Sequence, residues 1–143
     1  MKNVLLMAAC AASLVVFTAC TTQSVPKDTT PAPSESAAVG DYQTIDAEEA
    51  RRMMDDSASF VLVDVRTEEE YKEAHIEGAL LLPNEEIETS AADLLPDKGA
   101  TILVYCRSGR RSAEAAKKLA EMGYTAIYDF GGIIDWPYGT VSG

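Results

Sequence analysis

The most informative stretch of the chain is TILVYCRSGRRS, at residues 101–112. Its first five residues are β-branched, apolar or aromatic, which predicts a buried strand. The residues after Cys106 open a helix that is predicted to continue to Met122, where Gly123 ends it. Ligands of open α/β sheets bind at the carboxyl ends of the strands. Cys106 therefore stands where a functional site is expected.

The sequence on either side of this stretch predicts alternating strands and helices. Apolar runs predict the strands, and capping residues mark the starts of helices. Ser90 and Asp93 have the spacing of a capping box within a predicted helical region. The other predicted strands are 60–65, 79–82 and 124–128, and the other predicted helices run from Asp46 to Met54, start at Thr67–Glu70, and form one or two short segments within 84–95. Continuous apolar strands separated by helices indicate an α/β fold with a mostly parallel sheet covered on both faces.

Composition narrows the class of protein. A chain of 143 residues with 47% hydrophobic residues has the length and apolar content of one globular domain. It carries 12 basic and 23 acidic residues, a net charge of −11, which argues against nucleic acid as a partner. One histidine and three cysteines argue against a dedicated metal site.

The first nineteen residues have the pattern of a secretory signal peptide. Lys2 is followed by an uncharged run at 4–19, which is shorter than the roughly 20 apolar residues of a membrane-spanning helix. The segment FTAC, at 17–20, resembles a bacterial lipobox, and this resemblance implies cleavage before Cys20 and lipid attachment to it. Ordinary signal cleavage that leaves Cys20 free is the alternative. With lipid attached, the protein is expected outside the cytoplasm, anchored to the cell membrane or the outer membrane.

Residues 20–40 are predicted to form a disordered tether that starts at the lipidated cysteine. This segment is rich in proline, serine and threonine and contains no aromatic residue, so it lacks the apolar surface needed to fold. The predicted folded domain is 41–143. Cys10 is lost with the signal peptide and Cys20 carries the lipid, which leaves Cys106 as a single, potentially reactive thiol.

The surroundings of Cys106 predict a thiolate. The N–H groups at a helix N-terminus favour negative charge, and Arg107, Arg110 and Arg111 add three positive charges to an acidic chain. Gly109 allows successive N–H groups to face inward as an anion-binding nest. A buried core cysteine beside solvated arginines is the alternative.

Three segments in order along the chain resemble the motifs of rhodanese-type sulfurtransferases. The first combines DVR at 64–66, EY at 70–71 and HIEGA at 75–79, the second is CRSGRRS at 106–112, and the third is GGIIDWP at 131–137. Together they extend the resemblance over residues 42–138. Ala74 departs from the pattern, since many relatives carry glycine there. The resemblance implies a mostly parallel, five-stranded sheet flanked by helices on both faces.

The resemblance also implies an activity. A Cys106 thiolate would take a sulfane sulfur from a thiosulfate-like donor, form a persulfide, and pass the sulfur to a thiol or to cyanide. The donor anion would be bound by the rest of the loop, namely Arg107, Ser108, Gly109, Arg110 and Arg111. The reaction needs no cofactor and no metal, and the protein is expected to be a monomer.

Other functions remain open on the same fold. Phosphatases and arsenate reductases have longer loops, and a phosphatase loop would need arginine at position 112, where this chain has serine. A non-catalytic rhodanese-like binding module, or a sulfur relay loaded by a partner protein, would share most of the sequence.

Four further residues have predicted roles outside the loop. His75 is expected to make a structural hydrogen bond, and Trp136 to pack as a lid on the core. Asp64 either braces the Cys106 loop or is an ordinary carboxylate at a strand end. Arg66 and Glu70 are four residues apart and are predicted to form a surface ion pair.

Overall fold

The computed structural model describes residues 41–57 and 59–143. The predicted signal peptide, the predicted lipid attachment site Cys20 and the predicted tether up to residue 40 lie outside the described residues. The strands are β1 (Gln43–Thr44), β2 (Val61–Asp64), β3 (Leu80–Leu81), β4 (Thr101–Cys106) and β5 (Ala126–Gly132). The helices are α1 (Ala47–Asp56), α2 (Glu68–Glu73), α3 (Ile87–Leu94) and α4 (Arg110–Glu121), with 3-10 turns at Asn84–Glu86 and Ile133–Asp135. None of the helices in this part of the chain is long and apolar enough to cross a membrane.

The described strands form one parallel sheet in the order β1-β5-β4-β2-β3. This confirms the predicted five-stranded α/β fold. Strand β4 lies at the centre, paired with β2 on one side and β5 on the other. The sequence did not predict β1, because two residues are too few to produce a strand pattern.

Helices cover both faces of the sheet. Alternate residues of β4 point to opposite faces, so that Val104 and Cys106 pack with residues of α3 and α4. Leu103 and Tyr105 pack on the other face with Ala50 of α1. The thiol of Cys106 therefore lies on the face that α4 covers.

Two of the three predicted helix caps are confirmed. Asp46 accepts a hydrogen bond from the Glu49 N–H at 2.8 Å and begins α1. Thr67 and Glu70 form the predicted capping box at the start of α2. The capping box at Ser90 is wrong, because Ser90 lies inside α3, which the preceding 3-10 turn leads into at Ile87.

The last strand lies further along the chain than predicted. Gly123 has φ +91° and ends α4 as expected, but β5 begins only at Ala126 and continues to Gly132. Tyr124 is instead buried, with its hydroxyl donating to the carbonyl oxygens of Ala91 and Leu95 at 3.0 and 2.7 Å. These hydrogen bonds connect Tyr124 to the C-terminal end of α3, and β5 begins two residues later.

Candidate active site

Cys106 is the last residue of the central strand. It is 1% exposed and lies opposite Gly132 of the neighbouring strand β5. Three residues, 107–109, then carry the chain into α4. The structure thus places the thiol between the carboxyl end of a buried strand and the N-terminus of a twelve-residue helix, as the sequence predicts.

Gly109 turns the loop toward the thiol. Its φ of +97° lies in the left-handed region, which is accessible to glycine at little cost. The Gly109 N–H donates to the Cys106 Sγ at 3.1 Å, and the Gly109 carbonyl accepts from the Ser112 hydroxyl at 3.0 Å. Both polar groups of one residue are therefore fixed in orientation, and the N–H is aimed at the sulfur.

The pKa of the Cys106 thiol is lowered. Burial raises this pKa, since it disfavours the thiolate. Hydrogen bonds from the side chain and backbone of Ser112, and from the N–H groups of Ser108 and Gly109, lower it by more. The direction agrees with the sequence prediction, but the principal causes are these hydrogen-bond donors, and the charge interaction of the thiolate with Arg111 is a smaller contribution.

The three loop arginines have different surroundings. Arg110 is 74% exposed and forms an ion pair with Glu114 one turn along α4. Arg111 is 19% exposed, and its guanidinium donates to both carboxylate oxygens of Glu70, at 2.6 and 2.8 Å. Arg107 is exposed and borders a cleft of about 310 Å³. The three arginines are neighbours in the sequence, but their side chains have different partners: Glu114, Glu70 and the cleft.

Glu70 joins the first motif to the loop. Its side chain also accepts the Thr67 N–H at 3.2 Å, so that the capping box of α2 fixes its position. The hydrogen bonds from Arg111 hold the pKa of Glu70 at about 2. The predicted surface pair between Arg66 and Glu70 is therefore wrong, since Glu70 pairs with a residue 41 positions away.

Arg66 is buried and binds Asp64 instead. The two side chains are 6% and 0% exposed, and Arg66 Nη2 lies 2.6 Å from Asp64 Oδ2. The same nitrogen donates to the Ala74 carbonyl at 2.6 Å. Asp64 thus orients Arg66, which holds the end of α2, and the hydrogen bonds of Asp64 do not reach the Cys106 loop.

The third motif packs against the loop. A Cβ on Gly132 would lie 2.8 Å from the Cα of Ser108, closer than real Cβ contacts allow. The Ile134 N–H donates to the Arg107 carbonyl at 3.4 Å, and the Ser112 hydroxyl lies 3.3 Å from the Gly131 carbonyl. The end of β5 and the residues after it therefore support the loop from the side opposite α2.

His75 and Trp136 have the structural roles that the sequence predicts. The His75 Nδ1 lies 2.9 Å from the Tyr71 carbonyl oxygen, and its ring stacks on Tyr71 at 3.8 Å. Trp136 is 8% exposed and packs beside Phe130 in the core. Neither side chain is part of the thiol's hydrogen-bond surroundings.

Sequence reasoning missed three residues that shape the site. Ser112 is fully buried, although a serine in the first turn of a helix is normally interpreted as a surface residue. The sequence predicts Glu70 as a helix-capping residue and a partner of Arg66, and Gly132 appears only within the third motif. The one available signal was that all three belong to the segments that carry the family resemblance. In the described part of the chain, no three His, Cys, Asp or Glu side chains gather as a metal site.

A family profile, curated relatives and solved structures all indicate the same domain family. The profile described as Rhodanese-like domain matches residues 46–137. The chain is 42% identical to thiosulfate sulfurtransferase PspE of Escherichia coli K12 over 51% of this chain and 70% of the relative. It is 36% identical to a sulfurtransferase of Allochromatium vinosum over 64% of this chain and 85% of the relative. A solved E. coli structure, a rhodanese with anions, superposes with a TM-score of 0.56 at 39% identity, covering 59% of this chain and all of that one.

Proposed function

Because this chain belongs to the rhodanese-like domain family, we propose that it is a thiosulfate sulfurtransferase that carries sulfur as a persulfide on Cys106. Its sulfurtransferase relatives support sulfur transfer in general. The specific proposal rests on the surroundings of the Cys106 thiol. Its Sγ accepts a hydrogen bond from the Gly109 N–H at 3.1 Å, and its pKa is lowered. The reactive form of a cysteine is the thiolate, so these donors prepare the nucleophile.

The first half-reaction loads the enzyme. The Cys106 thiolate attacks the outer sulfur of thiosulfate and forms an S–S bond to it. The bond between that sulfur and the sulfonate sulfur breaks, and its electron pair leaves with sulfite. The Gly109 and Ser108 N–H groups then face a persulfide anion that extends from Sγ, an arrangement related to an oxyanion hole.

The second half-reaction returns the free thiolate. An acceptor thiolate or cyanide attacks the outer sulfur of the persulfide, and the S–S bond to Cys106 breaks with its electron pair on Sγ. The products are an acceptor persulfide or thiocyanate. Division of one transfer between two covalent steps is nucleophilic catalysis with ping-pong kinetics.

Arg107 and Arg110 supply positive charge for the donor dianion. Both side chains are exposed, and the pair that Arg110 forms with Glu114 is open to solvent, so both guanidinium groups can attract thiosulfate from solvent. Arg111 has a different role in this proposal, because its guanidinium is occupied by Glu70. It fixes the start of α4, on which the loop depends.

Thiocyanate formation from thiosulfate and cyanide tests this function. The wild-type protein is expected to release sulfite and form thiocyanate, and the nearly isosteric Cys106→Ser variant is expected to form neither. Thiocyanate formation that survives in Cys106→Ser would refute the Cys106 mechanism. A wild-type protein that is inactive here, but hydrolyses a phosphate monoester or reduces arsenate, would have one of the alternative chemistries; inactivity in every assay would favour a binding module or a relay.

We propose in addition that Cys20 carries a lipid that anchors the domain outside the cytoplasm. The lipobox-like sequence FTAC at 17–20 supports this, and multiple acyl chains give stable membrane attachment. Bacteria that express the full chain in the presence of an alkyne fatty acid should incorporate the label. Cys20→Ser should abolish the labelling; equal labelling of both proteins, or of neither, would contradict the anchor.

A further inference from the structure

A cleft of about 310 Å³ borders the active loop at Arg107. One wall is the end of α2, with Glu73 and Ala74, and the other is the turn after β5, with Ile133 and Ile134. Ile134 is 65% exposed there, although it is a large apolar residue. The volume is at the lower end of the range for small-molecule sites, so the cleft suits a small ligand.

Two of the charged residues in this cleft are already neutralised. Arg66 is paired with Asp64, and Glu70 is paired with Arg111. Arg107 and Glu73 differ from them, because both are exposed and neither side chain has a hydrogen-bond or ion-pair partner among the described residues. The cleft therefore presents one available cation, one available anion and an apolar wall beside the loop that holds Cys106.

We propose that this cleft binds the sulfur acceptor, and that the acceptor is an α-amino-acid thiol whose carboxylate pairs with Arg107 and whose ammonium pairs with Glu73. Ile133 and Ile134 cover its methylene group. This rests on the proposed function, since it assigns a substrate class to the second half-reaction. The acceptor thiol loses its proton to solvent, and its sulfur attacks the outer persulfide sulfur. The bond to Cys106 Sγ then breaks with its electron pair on Sγ.

Arg107 can serve both half-reactions. In a ping-pong mechanism sulfite departs before the acceptor binds, so one guanidinium meets the donor dianion first and the acceptor carboxylate afterwards. Glu73 distinguishes the two ligands, because its carboxylate repels a dianion and attracts an ammonium. The pair therefore favours a zwitterionic thiol over a purely anionic one.

Four thiols that differ in their charged groups distinguish the contributions of Arg107 and Glu73. The purified full-length protein is loaded with thiosulfate, freed of excess donor, and discharged with L-cysteine, 3-mercaptopropionate, cysteamine or 2-mercaptoethanol. The discharge rate of each thiol is compared between wild type and variant, so that the pKa of the thiol cancels. Arg107→Gln is expected to slow discharge by L-cysteine and by 3-mercaptopropionate roughly two- to fivefold, the range of an exposed ion pair. Glu73→Gln is expected to slow L-cysteine and cysteamine by a similar factor.

Matched variants outside the cleft serve as controls. Arg52→Gln on α1 and Glu69→Gln on α2 remove exposed charges and should leave all four discharge rates unchanged. The assignment is overturned if Arg107→Gln slows all four thiols equally or slows none. A wild-type protein that takes up no sulfur from thiosulfate refutes the proposed function instead.

A binding measurement tests the cleft without sulfur transfer. In the Cys106→Ser protein, S-methyl-L-cysteine should shift the backbone amide resonances of Arg107, Glu73 and Ile134. At a ligand concentration well below saturation, adding Arg107→Gln should reduce the shifts at Glu73 and Ile134 roughly two- to fivefold. Shifts that are absent from these residues, or unchanged by Arg107→Gln, would contradict the site whatever the reaction is.

Discussion

The Arg111 guanidinium donates two hydrogen bonds to the Glu70 carboxylate, at 2.6 and 2.8 Å, across 41 positions of sequence. This pair joins the first turn of α2 to the first turn of α4, where the Cys106 loop ends. Both side chains are about one-fifth exposed. The loop is therefore held from α2 as well as by its own backbone.

Replacement of Glu70 by glutamine should destabilise the fold. The charge-assisted hydrogen bonds to Arg111 are lost or weakened, at a cost of about 1.5–3 kcal/mol. Urea denaturation measures the change in the free energy of unfolding. Glu69→Gln, at an exposed position on the same helix, should change it by less than about 0.5 kcal/mol. Equal effects of the two substitutions would show that the Glu70–Arg111 pair contributes nothing.

The same pair predicts a dependence of stability on pH. The pKa of Glu70 is about 2 in the folded protein, below the value of about 4.3 for an unfolded chain. A depressed folded-state pKa stabilises the protein above the unfolded value, and this contribution is lost as pH falls from about 4.3 through 2. The stability difference between wild type and Glu70→Gln should be constant above about pH 5 and narrow toward pH 2. A difference that stays constant over the whole range would contradict the assigned pKa.

Ser112→Ala should raise the pKa of the Cys106 thiol. Ser112 is the leading source of hydrogen bonds that oppose the effect of burial on this pKa. The pH dependence of thiolate absorbance, or of alkylation by iodoacetamide, reports the change. Arg110→Gln is the comparison, since Arg110 is exposed and paired with Glu114, and it should shift the thiol pKa less. A larger shift of the thiol pKa in Arg110→Gln would show that the arginines are the main cause of the lowered pKa.

Gly132→Ala should displace the loop from its working geometry. The new Cβ would lie 2.8 Å from the Ser108 Cα and 2.9 Å from the Arg107 carbonyl carbon, so the backbone must move. Misplacement of reacting groups by about 1 Å can reduce activity roughly 10²-fold, and kcat/KM for thiocyanate formation should fall on that scale. Gly99→Ala, where the nearest atom is a side-chain oxygen at 3.4 Å, should retain activity. Full activity in Gly132→Ala would mean that the loop tolerates the shift.

Local sequence patterns predicted the fold and the position of the thiol. They did not predict contacts between residues that are far apart in the sequence. The apolar run at 101–105 and the glycine at 109 act through neighbouring residues, so the strand, the turn and the helix start could be inferred. A spacing of four residues predicts an ion pair between Arg66 and Glu70, but Arg66 is buried and pairs with Asp64 instead. The boundary of β5 was wrong because Tyr124 packs under α3, a contact that spans about 30 residues.

The most direct test is the intact mass of the purified protein after incubation with thiosulfate. The central claim is that Cys106 becomes a persulfide, so the protein should gain the mass of one sulfur atom. Cyanide should remove that mass, and Cys106→Ser should never acquire it. A protein that forms thiocyanate without gaining sulfur, or that gains sulfur equally in Cys106→Ser, would contradict the claim.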